Sequence, residues 1–150
     1  MSTGLKANAD GSAAIQVGGS DAITITSGLD TTHQGASLSI GATGYTTGAG
    51  GTVTQLTSKS TAVTLNKPTG QITINNAALA AGATVSFSFN NSLISSNDML
   101  LLNTKSWGGS YRLNVEIGSG SCFIFLTNLT GGSLSDSFVL NFAIIKGAAS

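Results

Sequence analysis

Charge is scarce in this chain. Of 150 residues only six are Lys or Arg and six are Asp or Glu, 8% in all, and the formal net charge is zero. With no basic stripe to hold a phosphate backbone, nucleic acid is disfavoured as a partner. Cysteine and histidine are scarcer still. A single cysteine, Cys122, excludes an intrachain disulfide, and a single histidine, His33, argues against a structural zinc site. Cys122 reads as a small buried hydrophobe rather than a reactive thiol. No apolar run approaches the ~20 residues of a membrane-spanning helix, and the start, MSTGLKANADGS, lacks the apolar core of a signal peptide. The expectation is synthesis in a cytoplasm, no export by the general route and no membrane partner.

What replaces charge is 21 serines, 19 threonines and 20 glycines, alongside one proline and 41% hydrophobic residues. This is the composition of a β-rich domain with a neutral surface. The C-terminal third carries the clearest signals. In YRLNVEI, Tyr111, Leu113, Val115 and Ile117 alternate with Arg112, Asn114 and Glu116, the period-2 pattern of a half-buried strand. The next two runs, SCFIFLTNL and SDSFVLNFAIIK, are apolar on both faces. One small core covers only one face of a strand, so the second face points to another layer or another subunit. Upstream, strands are expected at Thr52–Thr57, Ala62–Asn66, Gln71–Asn75, Thr84–Asn90 and Met99–Asn103, with Lys67-Pro68-Thr69-Gly70 as a β-turn and Asn76–Gly82 as a loop or one helical turn. Eight short strands and no long helix predict an all-β, antiparallel β-sandwich of jelly-roll type over residues 52–150.

Residues 1–51 read differently. Ala14–Val17 and Ala22–Thr26 flank Gly18-Gly19-Ser20-Asp21 as a short hairpin, and such a hairpin alone is marginal. The stretch from Ser27 to Gly51 holds seven glycines, with Leu38, Ile40 and Tyr45 among its few large apolar groups. An extended N-terminal arm is therefore expected, ordered by lying on its own domain, a sister subunit or a larger assembly, with a floppy tail as the bland alternative.

Chemistry finds little to work with. His33 has Asp30 three residues before it, but none of the 21 serines stands in a G-x-S-x-G context. The carboxylates Asp10, Asp21, Asp30, Asp98, Glu116 and Asp136 are scattered, and Asp98 and Asp136 precede apolar strands, where capping a turn is the simplest role. Asn8–Ser12 lacks the carboxylates and closing glutamate of a calcium loop, and no lysine or helix follows Gly41–Gly51 as a phosphate loop requires. No cofactor, metal or catalytic residue is expected. Trp107, in a glycine loop, is a core lid or an exposed aromatic able to stack on a sugar or fill a partner's pocket.

Two stretches, Gly51–Ser92 and Gly131–Ser150, resemble a β-domain of tailed-bacteriophage virion proteins, among them tail-fibre ends and head-decoration proteins, and Asn8–Ile25 resembles the linker preceding such domains. The resemblance covers about two-thirds of the chain and implies a non-enzymatic, trimeric virion component. The expected function is capsid decoration: a homotrimer bound to the major capsid protein or other virion proteins. Phe123, Phe125, Val139 and Ile145 would form the oligomer interface, and Ile15, Val17, Ile23 and Ile25 would anchor the arm on the shell. The alternative is a receptor-binding fibre tip gripping cell-surface glycan around Trp107. A polysaccharide-cleaving enzyme is a distant third.

Overall fold

A computed structural model describes residues 3–9, 13–17, 20–25, 31–33, 44–45, 47–105 and 110–147. Every described element is a strand, and the chain divides into two compact units, residues 1–43 and 44–150.

The first unit is an antiparallel meander of β1 (Thr3–Ala7), β2 (Ala13–Val17), β3 (Ser20–Ile25) and β4 (Thr31–His33), in spatial order β1-β2-β3-β4. The expected hairpin is its centre, β2 with β3. The expected arm is thus a small sheet of its own, because Thr3–Ala7 and Thr31–His33 pair with the two free edges of that hairpin. Register sets Ile15 opposite both Leu5 and Ile23, with a bulge between Ile15 and Gln16. Ala14, on the other face, is 1% exposed.

The second unit contains the eight strands expected from alternation: β5 (Gly50–Thr54), β6 (Val63–Thr64), β7 (Thr69–Thr73), β8 (Thr84–Asn90), β9 (Met99–Thr104), β10 (Tyr111–Ile117), β11 (Ser121–Asn128) and β12 (Val139–Ile145). They form two four-stranded sheets, β10-β11-β8-β6 and β5-β7-β12-β9. The expectation of purely antiparallel pairing is corrected at two edges, since β5 runs parallel to β7 and β6 parallel to β8. The cause is the path of the chain. From β5 to β8 consecutive strands alternate between sheets, so each returns to its own sheet after an intervening strand in the other. Two reversals restore the original direction, and the returning strand lies parallel to its predecessor.

The sheets pack face to face around one apolar cluster. Phe87, Phe89, Cys122, Ile124 and Leu126 come from one sheet, and Ile72, Leu140, Phe142 and Ile144 from the other, each no more than 2% exposed. Phe89 and Phe142 meet edge to face across the middle, ring centroids 4.8 Å apart, the geometry the ring quadrupoles favour. At the borders β10 touches β9 and β5 touches β6, so the sheets lie in matching order. Tyr111 and Phe138 stack at 4.8 Å and extend this core.

Because β6 has only two residues and long loops join the sheets, much loop backbone is buried without a ladder to satisfy it, and buried polar side chains take that role. Gln55 Nε2 donates to Lys59 O at 3.1 Å and Thr61 O at 2.9 Å, while its Oε1 accepts from Asn75 N at 3.1 Å. Lys59, 3% exposed, extends its ammonium to Asn75 O and to Asp136 O. Asn91 donates to Lys67 O at 2.7 Å and accepts from Leu93 N. Gly70, expected as a turn residue, instead lies inside β7. A Cβ there would fall 2.3 Å from Gly51 O and 3.0 Å from the Phe142 ring, so the close approach of β5 and β12 requires glycine. Asn76–Gly82 is a loop that ends in a turn, with Leu79 bridged to Leu134.

Candidate functional site

Three groups capable of covalent chemistry, Cys122, Lys59 and Asp98, are occupied with structure. Burial pushes the Cys122 thiol up to about 11, which disfavours the nucleophilic thiolate at neutral pH. Desolvation lowers the Lys59 ammonium, opposed by Asp136 nearby, and its hydrogen bonds tie it to two loop carbonyls. Asp98, buried, accepts from Lys146 Nζ at 2.5 Å, Ser95 N at 2.8 Å and Gly147 N at 3.1 Å, which holds its carboxyl far below the usual range. It caps the turn before β9 and fastens the chain after β12. No His, Cys, Asp and Glu cluster able to hold a metal ion occurs among the described residues. His33 is placed in β4 by its backbone, and Trp107 lies outside the described residues.

The surfaces that remain are the two outer faces of the sandwich. Strand alternation sends Cys122, Ile124 and Leu126 inward and so turns Phe123 and Phe125 outward from the sheet of β8, β10 and β11. Phe123 is 52% exposed and Phe125 half-buried. The same alternation in β12 buries Leu140, Phe142 and Ile144 and turns Val139, Asn141, Ala143 and Ile145 out from the opposite sheet. The four residues expected to share one interface are therefore split between faces that look in opposite directions. A core strand has one inward row, and these two strands belong to different sheets.

The second face holds residues that the alternation of β12 alone does not reveal. Ile145 pairs with Met99 and Ala143 with Leu101 across the β12–β9 ladder. Met99 is 58% exposed, Leu101 55% and Ile145 42%, giving two adjacent apolar columns at the sheet border. Val139 stands apart, beyond the polar pair Asn141 and Asn103. The signal was the MLLL run, where Met99 and Leu101 share one face and the half-buried Leu100 and Leu102 the other.

The first face is built differently. Register sets Phe125 between Asn114 and Ser86, and Phe123 between Glu116 and Ser88. Beside Phe125 lies a groove of about 300 Å³ lined also by Thr84, Arg112, Leu113, Asn114 and Thr127. The Thr84 and Thr127 hydroxyls bond to each other at 2.8 Å across its floor. A larger open trough of about 540 Å³, over Gly50, Thr52, Thr69, Gln71 and Asn141, has neither ring nor charge in its lining. Of the expected anchor residues, Ile15 is 40% exposed in β2, and the backbones of Val17, Ile23 and Ile25 lie in β2 and β3.

Compared with known proteins, the chain matches no family model, no curated protein and no solved structure.

Proposed function

We propose that this chain is a structural protein of a tailed-phage particle, a decoration protein of the head that binds the major capsid protein and further copies of itself and performs no chemistry. The reading draws on the resemblance of Gly51–Ser92 and Gly131–Ser150 to phage virion domains. The observation that carries it is the exposed pair of apolar columns, Met99 with Ile145 and Leu101 with Ala143, of the kind that marks a contact surface.

The contact between copies is assigned to this face alone. If one copy's Phe123 face packed on the next copy's Ile145 face, each would leave its opposite face open for another, and a head-to-tail stack of opposite faces runs on without closing. A closed trimer needs one of these faces set against a border strand of the next copy, since a face set against its own equivalent closes a two-fold dimer. The exposed fractions of Met99, Leu101 and Ile145 amount to about one and a half whole side chains, and burying them is worth about 3 kcal/mol per protomer. Twice that, about 6 kcal/mol, falls in the lower part of the ~4–15 kcal/mol cost of association. Free copies should therefore associate weakly and assemble firmly on a shell, where neighbouring sites raise their effective concentration.

Attachment is assigned to the four-stranded unit at residues 1–43, whose outer strands β1 and β4 each leave a backbone edge for pairing with a shell protein. The test measures binding to undecorated phage shells by co-sedimentation. The Leu101→Asp variant should bind with lost cooperativity but retain its melting temperature, and removal of residues 1–43 should abolish binding while leaving a folded second unit, since the large core cluster lies wholly within residues 63–144. Normal decoration by both variants would refute the assignment.

A further inference from the structure

We propose that the outer face of β8, β10 and β11 is a carbohydrate-binding site, with Phe125 and Phe123 as stacking platforms and Arg112, Asn114, Glu116 and Ser86 as hydrogen-bonding partners of sugar hydroxyls. The inference stands independently of where the protein sits in a particle. It rests on the pattern of the face. Phe123 and Phe125 form an apolar stripe one residue wide, their positions about 7 Å apart along the strand. Both neighbouring columns are polar throughout, Thr84, Ser86 and Ser88 on β8, and Arg112, Asn114 and Glu116 on β10. The groove at Phe125 brings the ring together with a guanidinium, an amide and two hydroxyls in about 300 Å³, the lower bound of the usual volume for small-molecule sites.

Four occupants compete for such a surface. A second copy of the chain or another protein needs a wide apolar centre and about 800 Å² per partner, whereas this stripe offers two rings between polar rows. A nucleic acid needs several cations, and Arg112 is the one cationic residue on these three strands. A membrane surface needs a broad apolar face or a basic cluster, and neither is present among these columns. A pyranose chain has the complementary pattern. Its ring C–H bonds form an apolar face that covers an aromatic ring, and its hydroxyls radiate from the rim toward donors and acceptors on both sides. The near-absence of charge also suits a ligand that is neutral or carries an isolated carboxylate for Arg112.

The experiment titrates the full chain with cellohexaose and, separately, with sialyllactose, which carries one carboxylate, followed by amide chemical shifts and in parallel by light scattering. The expected result is saturable shifts centred on Ser86, Asn114 and Thr127, with a Kd on the order of 1 mM for at least one of the two probes. Phe125→Ala should weaken that binding about tenfold. Asn114→Ala, a change at an exposed position, should weaken it with an unaltered melting temperature and so serves if Phe125→Ala disturbs the fold. Arg112→Gln separates the sources, weakening the acidic probe more than the neutral one. Absence of saturable shifts with both probes overturns the proposal, as do shifts located on β9 and β12 instead. An oligomer that disappears on Phe125→Ala makes a second copy the occupant and overturns it equally.

Discussion

Asn128 ends β11 and is fully buried, and replacing it tests whether single side chains hold the long loops of this sandwich. Its Nδ2 donates to Leu79 O at 3.0 Å, Ala80 O at 3.1 Å and Gly132 O at 2.7 Å. Two N–H bonds serve three carbonyls, so one is shared between Leu79 and Ala80. Its Oδ1 accepts from the Thr130 amide and the Thr130 hydroxyl, both at 2.8 Å. Asn128→Ala therefore removes the equivalent of four hydrogen bonds, worth about 4 kcal/mol at ~1 kcal/mol each. Part of this is recovered. Leu79 O keeps Leu134 N at 3.0 Å, Ala80 O keeps Ala83 N at 3.1 Å, and Gly132 is exposed to water. The net expectation is a loss of about 3 kcal/mol, a fall in Tm of about 12 °C for a unit of this size.

Urea denaturation with an unchanged m-value would measure it, and the Asn128→Asp variant adds a control of sign. A carboxylate keeps the bonds from Thr130 but turns a negative oxygen on the carbonyls, so at neutral pH it should be at least as damaging as alanine. Protonation restores one donor, so its deficit should shrink on acidification. A loss below ~1 kcal/mol for Asn128→Ala would show that the loops at Leu79 and Gly132 hold themselves, and would refute the account of buried polar side chains given for this fold.

Two further changes probe the packing and the charge. Gly70→Ala should cost about 3 kcal/mol or more in chemical denaturation, because its methyl would meet Gly51 O at 2.3 Å, whereas Gly131→Ala, with open space around it, should stay within about 0.5 kcal/mol. Asp98 is held below its ordinary value of 3.8 by Lys146 first and then by the Ser95 amide; a depressed folded pKa means stability that is present above that value and lost as pH falls below it. Denaturation across a pH series should accordingly show the Asp98→Asn variant less stable at neutral pH and flatter on the acid side, and parallel profiles would refute it.

The eight strands of the second unit were legible because alternation, apolar runs and turn residues are local properties. In β10, Tyr111, Leu113, Val115 and Ile117 are half-buried and Arg112, Asn114 and Glu116 exposed, as the period of two requires. Partnership is not local, and that is where the reading diverged. Nothing within GGTVT or VT indicates that β5 pairs with β7 and β6 with β8, since both pairings follow from crossings between sheets. Gly70 shows the same limit: Pro68 two residues earlier gives it the sequence context of a turn, and only the neighbouring Gly51 and Phe142 reveal the close approach. In the first unit, TGLKA has one large apolar residue, Leu5, and that residue is 86% exposed. Its strand is fixed by a neighbouring edge, which carries no mark in its own five residues.

The two-faced strands explain why one expected interface became two surfaces. Apolar residues on both faces of β11 and β12 predict a second face that meets another layer or another subunit, but face identity is inherited from the sheet. Stacking two sheets on one core makes the inner rows, Ile124 and Phe142 among them, converge and makes the outer rows diverge. What decides the character of each outer row is then the neighbouring strand. β11 lies between two strands whose outward residues are polar, Ser86 and Ser88 on one side and Asn114 and Glu116 on the other, so its phenylalanines form an isolated stripe suited to a ligand with its own polar rim. β12 lies beside β9, whose outward Met99 and Leu101 widen its apolar row into a patch suited to another protein surface. Removing one of these contexts should remove only the role proposed for it: Met99→Ser with Leu101→Ser should abolish cooperative assembly on shells and leave the proposed sugar binding unchanged, because the polar columns around Phe125 are untouched.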